Sequence, residues 1–437
     1  MLTAASTAVL RKPLNETQRG QILQALEQAP SHGLPAYRVS QNASDAELTK
    51  AVIHYAKSLR GGRMEGKFTG DWHLRPPSYD AATAFRNAAA SRNKLQPWLD
   101  QLAPRHPGYN SLRQALASYR DLEAAGGWKK IPGGAVLKVG SKGSRVLNLR
   151  ERLGMEYAAP APLGDPSTFD LSLSMALKDE QARLGVPVTG VLDKATVAAL
   201  NIPVSQRVAT IEANLERWRW MPPSVPRYRV EVNVPAYWVN VFRNGQQPLS
   251  MKVIVGKPET PTPMFMDVMD GVVFNPPWNV PDSIAKRDIL PKARKDKTYL
   301  IKNDYVMTED GRVQQKAGPK SALGKVKFEM TNPFAIYFHD TPSKQLFTYD
   351  QRAFSNGCMR LEKPLELVEM VLNDQRGAID QTISTGETVR TDVGRPVPVF
   401  VVYRTAYVEN GKVQFRGDIY GWDRELKEIL EGVSHQT

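Results

Sequence analysis

The hydrophobic pattern changes period partway along the chain, and that change limits the folds open to it. Up to about residue 222 apolar residues recur at helical spacing. From Tyr228 onward Tyr228, Val230, Val232 and Val234 alternate with Arg229, Glu231 and Asn233. Alternation puts every second side chain on one face, the pattern of a half-buried strand. A chain of 437 residues also exceeds what one hydrophobic core usually organises. The expectation is a multidomain α+β protein, with a helical first half followed by a β-rich domain.

Within the first half, Ser44 to Glu47 reads S-x-x-E, a capping box. Leu48, Ala51, Val52, Tyr55 and Leu59 then share a helical face until Gly61-Gly62 closes it. Patterning resumes at Tyr79, after Trp72–Pro77 (WHLRPP), and runs through Tyr109, Leu112, Leu116, Tyr119 and Leu122. Residues 14–134 are therefore expected to form a helical scaffold. A glycine-rich linker, Gly126–Gly134, introduces a three-helix module over residues 135–202, in which Val146, Leu149 and Leu153 open the first helix. An amphipathic connector, 203–227, ends this half.

In the second half, Tyr237–Phe242 and Leu249–Val255 flank Asn244-Gly245, a strong hairpin signal. Further strands are expected at Gly271–Phe274, Ala335–His339 and Val397–Tyr403, within a domain spanning 228–423. A basic, irregular insertion at 282–331 reads either as a solvated surface excursion or as a lid. Residues 424–437 read as a C-terminal tail.

The chemistry concentrates between Ile336 and Pro364. Cys358 is the only cysteine, so no intrachain disulfide is possible, and His339 lies nineteen positions before it. A thiol acts as nucleophile in its thiolate form, and an imidazole can take its proton. A lone cysteine is more often a small buried apolar residue, so the residue types alone leave both readings open. Gly357 permits a backbone conformation that turns the Cys358 amide toward a developing oxyanion. Ser355 and Asn356 can hold the turn, and Arg360 can bind a carboxylate or clamp the loop. His32, His54, His73 and His106 are scattered without metal-ligand spacing, and no glycine-rich nucleotide loop occurs. Neither a metal nor a cofactor is expected.

From His339 to Arg360 the chain resembles the signature of the YkuD-type L,D-transpeptidases: a histidine, a gap of this size, then Ser-x-Gly-Cys-x-Arg. Many members carry a second histidine before the glycine, where Asn356 stands here. In that respect, and in His-Asp-Thr-Pro at His339–Pro342, the chain is most similar to the long YcbB-like branch. Val255–Pro263, Asn275–Pro281, Ser321–Phe328 and Gly417–Asp423 extend the resemblance over most of residues 210–423. Residues 14–125 are similar to the helical scaffold of that branch. The module at 135–202 resembles a small peptidoglycan-binding module, although Glu180-Gln181 replaces the common Phe-Gln and Asp193 a common glycine. It can serve as a sugar-binding or a packing element.

The resemblance implies a β-sandwich catalytic domain whose lid overhangs the site. It also implies a reaction in which Cys358, activated by His339, attacks the bond between the third stem residue of peptidoglycan and the terminal D-Ala. An acceptor amine from another stem then resolves the thioester. The oxyanion would be held by the Gly357 and Cys358 amides, and the substrate by Tyr337, Trp278, Ser355, Asn356 and Arg360. Tyr337 and Trp278 can equally be packing residues. The net charge of +13 suits anionic cell-wall glycopeptide. Without a compact Lys/Arg tract or an aromatic RNA-binding signature, nucleic acid is not expected as a partner. The first residues, MLTAASTAVLRKP, lack an apolar run long enough for a signal or membrane span. An envelope location therefore requires an export signal upstream. Two other readings remain: a carboxypeptidase or other thiol hydrolase, and a wall-binding protein without activity. Papain-like hydrolases place the cysteine before the histidine, and the present order is the reverse.

Overall fold

A computed structural model describes residues 12–64, 71–91, 93–157 and 161–434. The extreme N-terminus considered above as a leader lies largely outside them. The chain divides into two compact units, each described by itself. One gathers residues 1–69, 75–225 and 404–437, and the other residues 70–74 and 226–403.

The first unit is helical. Asn15 and Gln18 form a capping box on α1 (Glu16–Glu27), and Ser44 and Glu47 form the expected one on α2 (Asp45–Gly61). These helices pack with α3 (Ala81–Ala89) and α4 (Leu95–Leu99) around Ile22, Leu48, Val52, Phe85 and Leu95, all fully buried. Next come α5 (Pro107–Ala124), then α6 (Ser144–Gly154), α7 (Leu171–Leu184) and α8 (Lys194–Leu200), the three helices expected over 135–202. The two unusual residues of that segment have structural partners. Glu180 is ion-paired with Arg183, and Asp193 caps α8 by accepting from the Thr196 amide. Helix α9 (Val204–Arg219) carries a buried ionic knot in which Arg219 donates to Glu216 at 2.6 Å, and Glu216 also accepts from the Arg63 amide at 2.6 Å.

The second unit is a nine-stranded sheet. Its first strands are β1 (Arg229–Asn233), β2 (Trp238–Arg243), β3 (Gln246–Gly256) and β4 (Phe265–Phe274). The β2–β3 turn sits at Asn244 and Gly245, with φ of +55° and +83°, as a primed hairpin turn requires. Three short strands, β5 (Trp278–Asn279), β6 (Tyr305–Met307) and β7 (Val313–Gln315), form a separate sheet. The main sheet resumes with β8 (Val326–Met330), β9 (Phe338–His339), β10 (Ala353–Ser355), β11 (Met359–Leu361) and β12 (Val389–Val402). The order is β10-β3-β11-β9-β8-β4-β12-β1-β2, and β2 pairs again with β3. The ladder therefore closes into a ring, with β10 appended to β3, where the resemblance implied two stacked sheets.

Three boundaries differ from expectation. The insertion ends before β8, because Val326–Met330 pairs with both β4 and β9. What precedes is folded around a small core of Val280, Ala285, Ile289 and Val313. Residues 404–423, expected with the strands, group with the helical unit. There β13 (Ala406–Glu409) and β14 (Lys412–Phe415) form a hairpin and Asn214 binds the Thr405 backbone and hydroxyl. Finally, the expected tail forms a helix, Trp422–Ser434, with Leu426 fully buried.

Truncating one member of a buried ion pair leaves the other charge uncompensated. Glu216→Ala strands the fully buried Arg219 and should therefore cost about 3–5 kcal/mol of stability. Urea unfolding of the variant against the parent reads this directly.

Candidate active site

Strand β9 is only two residues long, yet it sets the site. It runs parallel to β11, pairing Phe338 with Met359 and His339 with Arg360, and antiparallel to β8, pairing His339 with Lys327. Paired residues point to the same face and neighbours to opposite faces. Phe338, Met359 and Phe328 accordingly turn into the core, fully buried. Arg360, His339 and Lys327 line up across three strands on the other face. Cys358, two residues before Arg360, and Tyr337, two before His339, extend that face by one step.

The histidine is held from behind. His339 Nδ1 donates to the Asp340 carbonyl at 2.5 Å, a tautomer that leaves Nε2 as the acceptor. The Asp340 carboxylate turns elsewhere, accepting from the Lys325 amide at 2.9 Å and pairing with Lys344 at 2.7 Å.

The cysteine loop is held by buried hydroxyls. Ser355 Oγ donates to the Cys358 carbonyl at 2.6 Å and accepts from the Gly357 amide at 3.2 Å. Thr262 Oγ1 donates to the Gly357 carbonyl at 2.7 Å. With that carbonyl anchored, the following N–H, that of Cys358, turns the opposite way, and among the described residues it has no acceptor. The expected pair of oxyanion donors thus narrows to one, because the Gly357 amide is already engaged by Ser355. Gly357 has φ +109°, and a Cβ there would lie 2.7 Å from Ile336 Cδ1.

The half-buried Cys358 thiol donates to the Ala335 carbonyl at 3.6 Å. Ala335 adopts φ +54°, an uncommon conformation for a residue with a Cβ. Asn332 secures this turn, accepting from the Phe334 and Ile336 amides at 3.2 Å and donating to the Ile336 carbonyl at 2.8 Å. Tyr337 neighbours the sulfur and favours its ionised form, and its ring centroid lies 5.8 Å from that of His339.

Burial dominates the electrostatics. It lowers the His339 pKa to about 3, helped by the Arg360 charge and opposed by the Asp340 carbonyl, so the imidazole is neutral near pH 7. Burial also pushes the Cys358 thiol up, while the neighbouring Tyr337 and the charges of Lys327 and Arg360 pull it down without prevailing. Cys358 thus rests as a thiol and His339 as a neutral imidazole.

Of the expected substrate-binding residues, Tyr337 and Arg360 lie beside Cys358, and Trp278 neighbours Tyr337. Ser355 is buried, with its hydroxyl inside its own loop. Asn356 is exposed and accepts from Arg287 of the insertion at 2.8 Å. Lys327, Thr262, Asn332 and Ala335 were not singled out from the sequence. Lys327 was legible only as the alternate position of a Val326–Phe328 strand. Among the described residues no group of three or more His, Cys, Asp or Glu side chains is gathered for a metal.

Parts of the chain are similar to known proteins. Residues 227–401 match the family model of the L,D-transpeptidase catalytic domain, YkuD, and residues 12–116 match a scaffold domain. Residues 227–401 are thus similar to YkuD-type L,D-transpeptidase catalytic domains. A putative L,D-transpeptidase of Haemophilus influenzae is 33% identical over 246 residues, covering 51% of this chain and 49% of the relative. The chain thus spans about half the length of that curated relative. L,D-transpeptidase 3 of Mycobacterium tuberculosis overlays with 14% identity over 41% of this chain and 63% of its own, at a TM-score of 0.23. An L,D-transpeptidase from Xylanimonas cellulosilytica overlays with 14% identity over 62% of this chain and 99% of its own, at a TM-score of 0.21.

Gly357→Ala should displace the Cys358 amide. If the Cys358 amide serves as the oxyanion donor, its displacement slows acylation by about 10²–10³-fold, measurable with an activated ester. The raised thiol pKa sets the sign of a pH profile: less thiolate at neutral pH than in free cysteine. Alkylation of Cys358 by iodoacetamide at pH 7 should be slower than that of free cysteine and climb steadily into the alkaline range. A plateau from about pH 5 to 8 would instead mark a preformed thiolate–imidazolium pair.

Proposed function

We propose that this protein is an L,D-transpeptidase that joins the third residues of peptidoglycan stem peptides through a Cys358 acyl-enzyme, releasing D-Ala. The observation that carries the reading is the β9–β11 pairing, which places Cys358 and His339 on one sheet face within a domain that matches the YkuD family.

The thiol proton leaves its contact with the Ala335 carbonyl and passes to His339 Nε2 as sulfur attacks the stem carbonyl. A neutral, buried imidazole suits a base that works during attack. The oxyanion forms against the Cys358 amide. The S–C bond is made, the C–N bond breaks, and the imidazolium returns its proton to the departing D-Ala amine, which would otherwise be a poor leaving group. The acceptor amine then attacks the thioester, gives a proton to His339, and the thiol is restored. Trp278 and Tyr337 form an aromatic wall for the donor.

The folded insertion favours transfer over hydrolysis. Its Arg287 contact to Asn356 ties it to the nucleophile loop, a position from which it can exclude water and position an acceptor. The scaffold match ahead of the catalytic match supports placement in the long YcbB-like branch. It also supports peptidoglycan as the partner and the cell envelope as the location. The module at 135–202 is proposed as peptidoglycan-binding-like in fold, with Glu180 and Asp193 in packing roles.

Incubated with a tetrapeptide stem and a free D-amino acid, the protein should exchange the terminal residue. With two tetrapeptide stems it should give a dimer joined through the third residues. Cys358→Ser and His339→Ala should each lose both products while keeping the parental melting curve. Mass spectrometry reads the products, and finding tripeptide alone at every acceptor concentration would mark a carboxypeptidase.

A further inference from the structure

The row Arg360–His339–Lys327 puts two cations on either side of the base and on the same face as the nucleophile. Fixed charges so placed in a folded sheet usually answer to a carboxylate within the protein. Here the neighbouring carboxylates are engaged elsewhere. Glu329, two residues along β8, is held by Arg390, which also binds Asp392. Asp340 pairs with Lys344, and Asp288 of the insertion with Arg287. Among the described residues neither Lys327 nor Arg360 has an acidic partner. Arg360 Nε is buried without any acceptor, and a guanidinium left so is costly unless a ligand completes it. Lys327 reaches along the face toward the nucleophile, with its Nζ 4.6 Å from the centroid of the Tyr337 ring, and the β9–β11 register sets Tyr337 beside Cys358.

We propose that Lys327 and Arg360 together form a carboxylate-binding site beside Cys358, which selects donors carrying an anionic group close to the bond attacked. The site deepens the transpeptidase reading and rests on it only for the identity of the donor. Two carboxylates of a stem peptide share this chemistry: the C-terminal carboxylate of the leaving residue, and a free side-chain carboxylate on the third residue.

The test compares two alkylating reagents of nearly equal size, iodoacetate and iodoacetamide, on the full-length protein. Both require the thiolate, so the ratio of their rates cancels any change in thiol pKa and leaves the attraction for the carboxylate. The parent should favour iodoacetate relative to free cysteine, and added salt should erode that preference. Lys327→Met should lower the ratio by about tenfold, the scale of one nearby charge in a half-buried setting, and Lys327→Arg should restore most of it. Circular dichroism establishes that each variant is folded. An unchanged ratio in Lys327→Met overturns the proposal, as does an equal fall in Lys327→Met and Lys327→Arg, which would mark a structural lysine. Donor peptides then locate the source. The carboxylate whose amidation abolishes the difference between parent and Lys327→Met in kcat/KM is the one bound, and a difference that survives both amidations overturns the proposal. A parent that prefers iodoacetate yet yields only tripeptide keeps the carboxylate site and discards the transfer reaction, so the two failures are distinguishable.

Discussion

The site depends on one short parallel pairing. The Met359 amide donates to the Tyr337 carbonyl at 3.0 Å, and with it β11 lies beside β9 in the register that sets Cys358 next to Tyr337 and Arg360 next to His339. A slip of one residue would turn Cys358 into the core and bring Met359 to the surface. Burial of Phe338, Met359 and Phe328 on the opposite face resists such a slip. The reactive residues are thus positioned by apolar neighbours that take no part in the chemistry.

The same burial works against reactivity. It disfavours the thiolate and the imidazolium alike, so the site rests uncharged between two cations. Tyr337 and Lys327 moderate the penalty on the thiolate without removing it, while Lys327 adds to the penalty on the imidazolium. A thiol kept protonated until a carbonyl arrives is also less prone to oxidation than a free-standing thiolate. The strained turn at Ala335, secured by Asn332, supplies the carbonyl that holds the resting proton.

Local signals in the sequence translated well. The capping box at Ser44, the alternation from Tyr228 and the Asn244-Gly245 turn each specify geometry within a few residues, and each appears where the pattern places it. Cys358 and His339 were singled out as a pair from a motif rather than from physics, and the β9–β11 register sets them on one sheet face. What the sequence concealed is long-range. The β1–β12 pairing joins Val230 to Val399, and no local pattern announces it. Residues 404–434 return to the helical unit through contacts such as Asn214 with Thr405, equally distant in sequence. The engagement of Gly357 by Ser355 was hidden because it depends on a hydroxyl rotamer. Lys327 was overlooked because a lysine in a basic stretch reads as solvated surface, and only the register with His339 gives it a place.

The closed ladder has a consequence for how a peptide can be gripped. Many proteins hold peptides by adding them as a further strand, which demands a free sheet edge and a chain of uniform handedness. Among the described residues the ring has no such edge apart from the three-residue β10. A peptide reaching this site meets side chains standing on the sheet, not a row of backbone donors and acceptors. Recognition built that way would not depend on regular strand geometry, and a ligand of mixed handedness would fit it as readily as a uniform one.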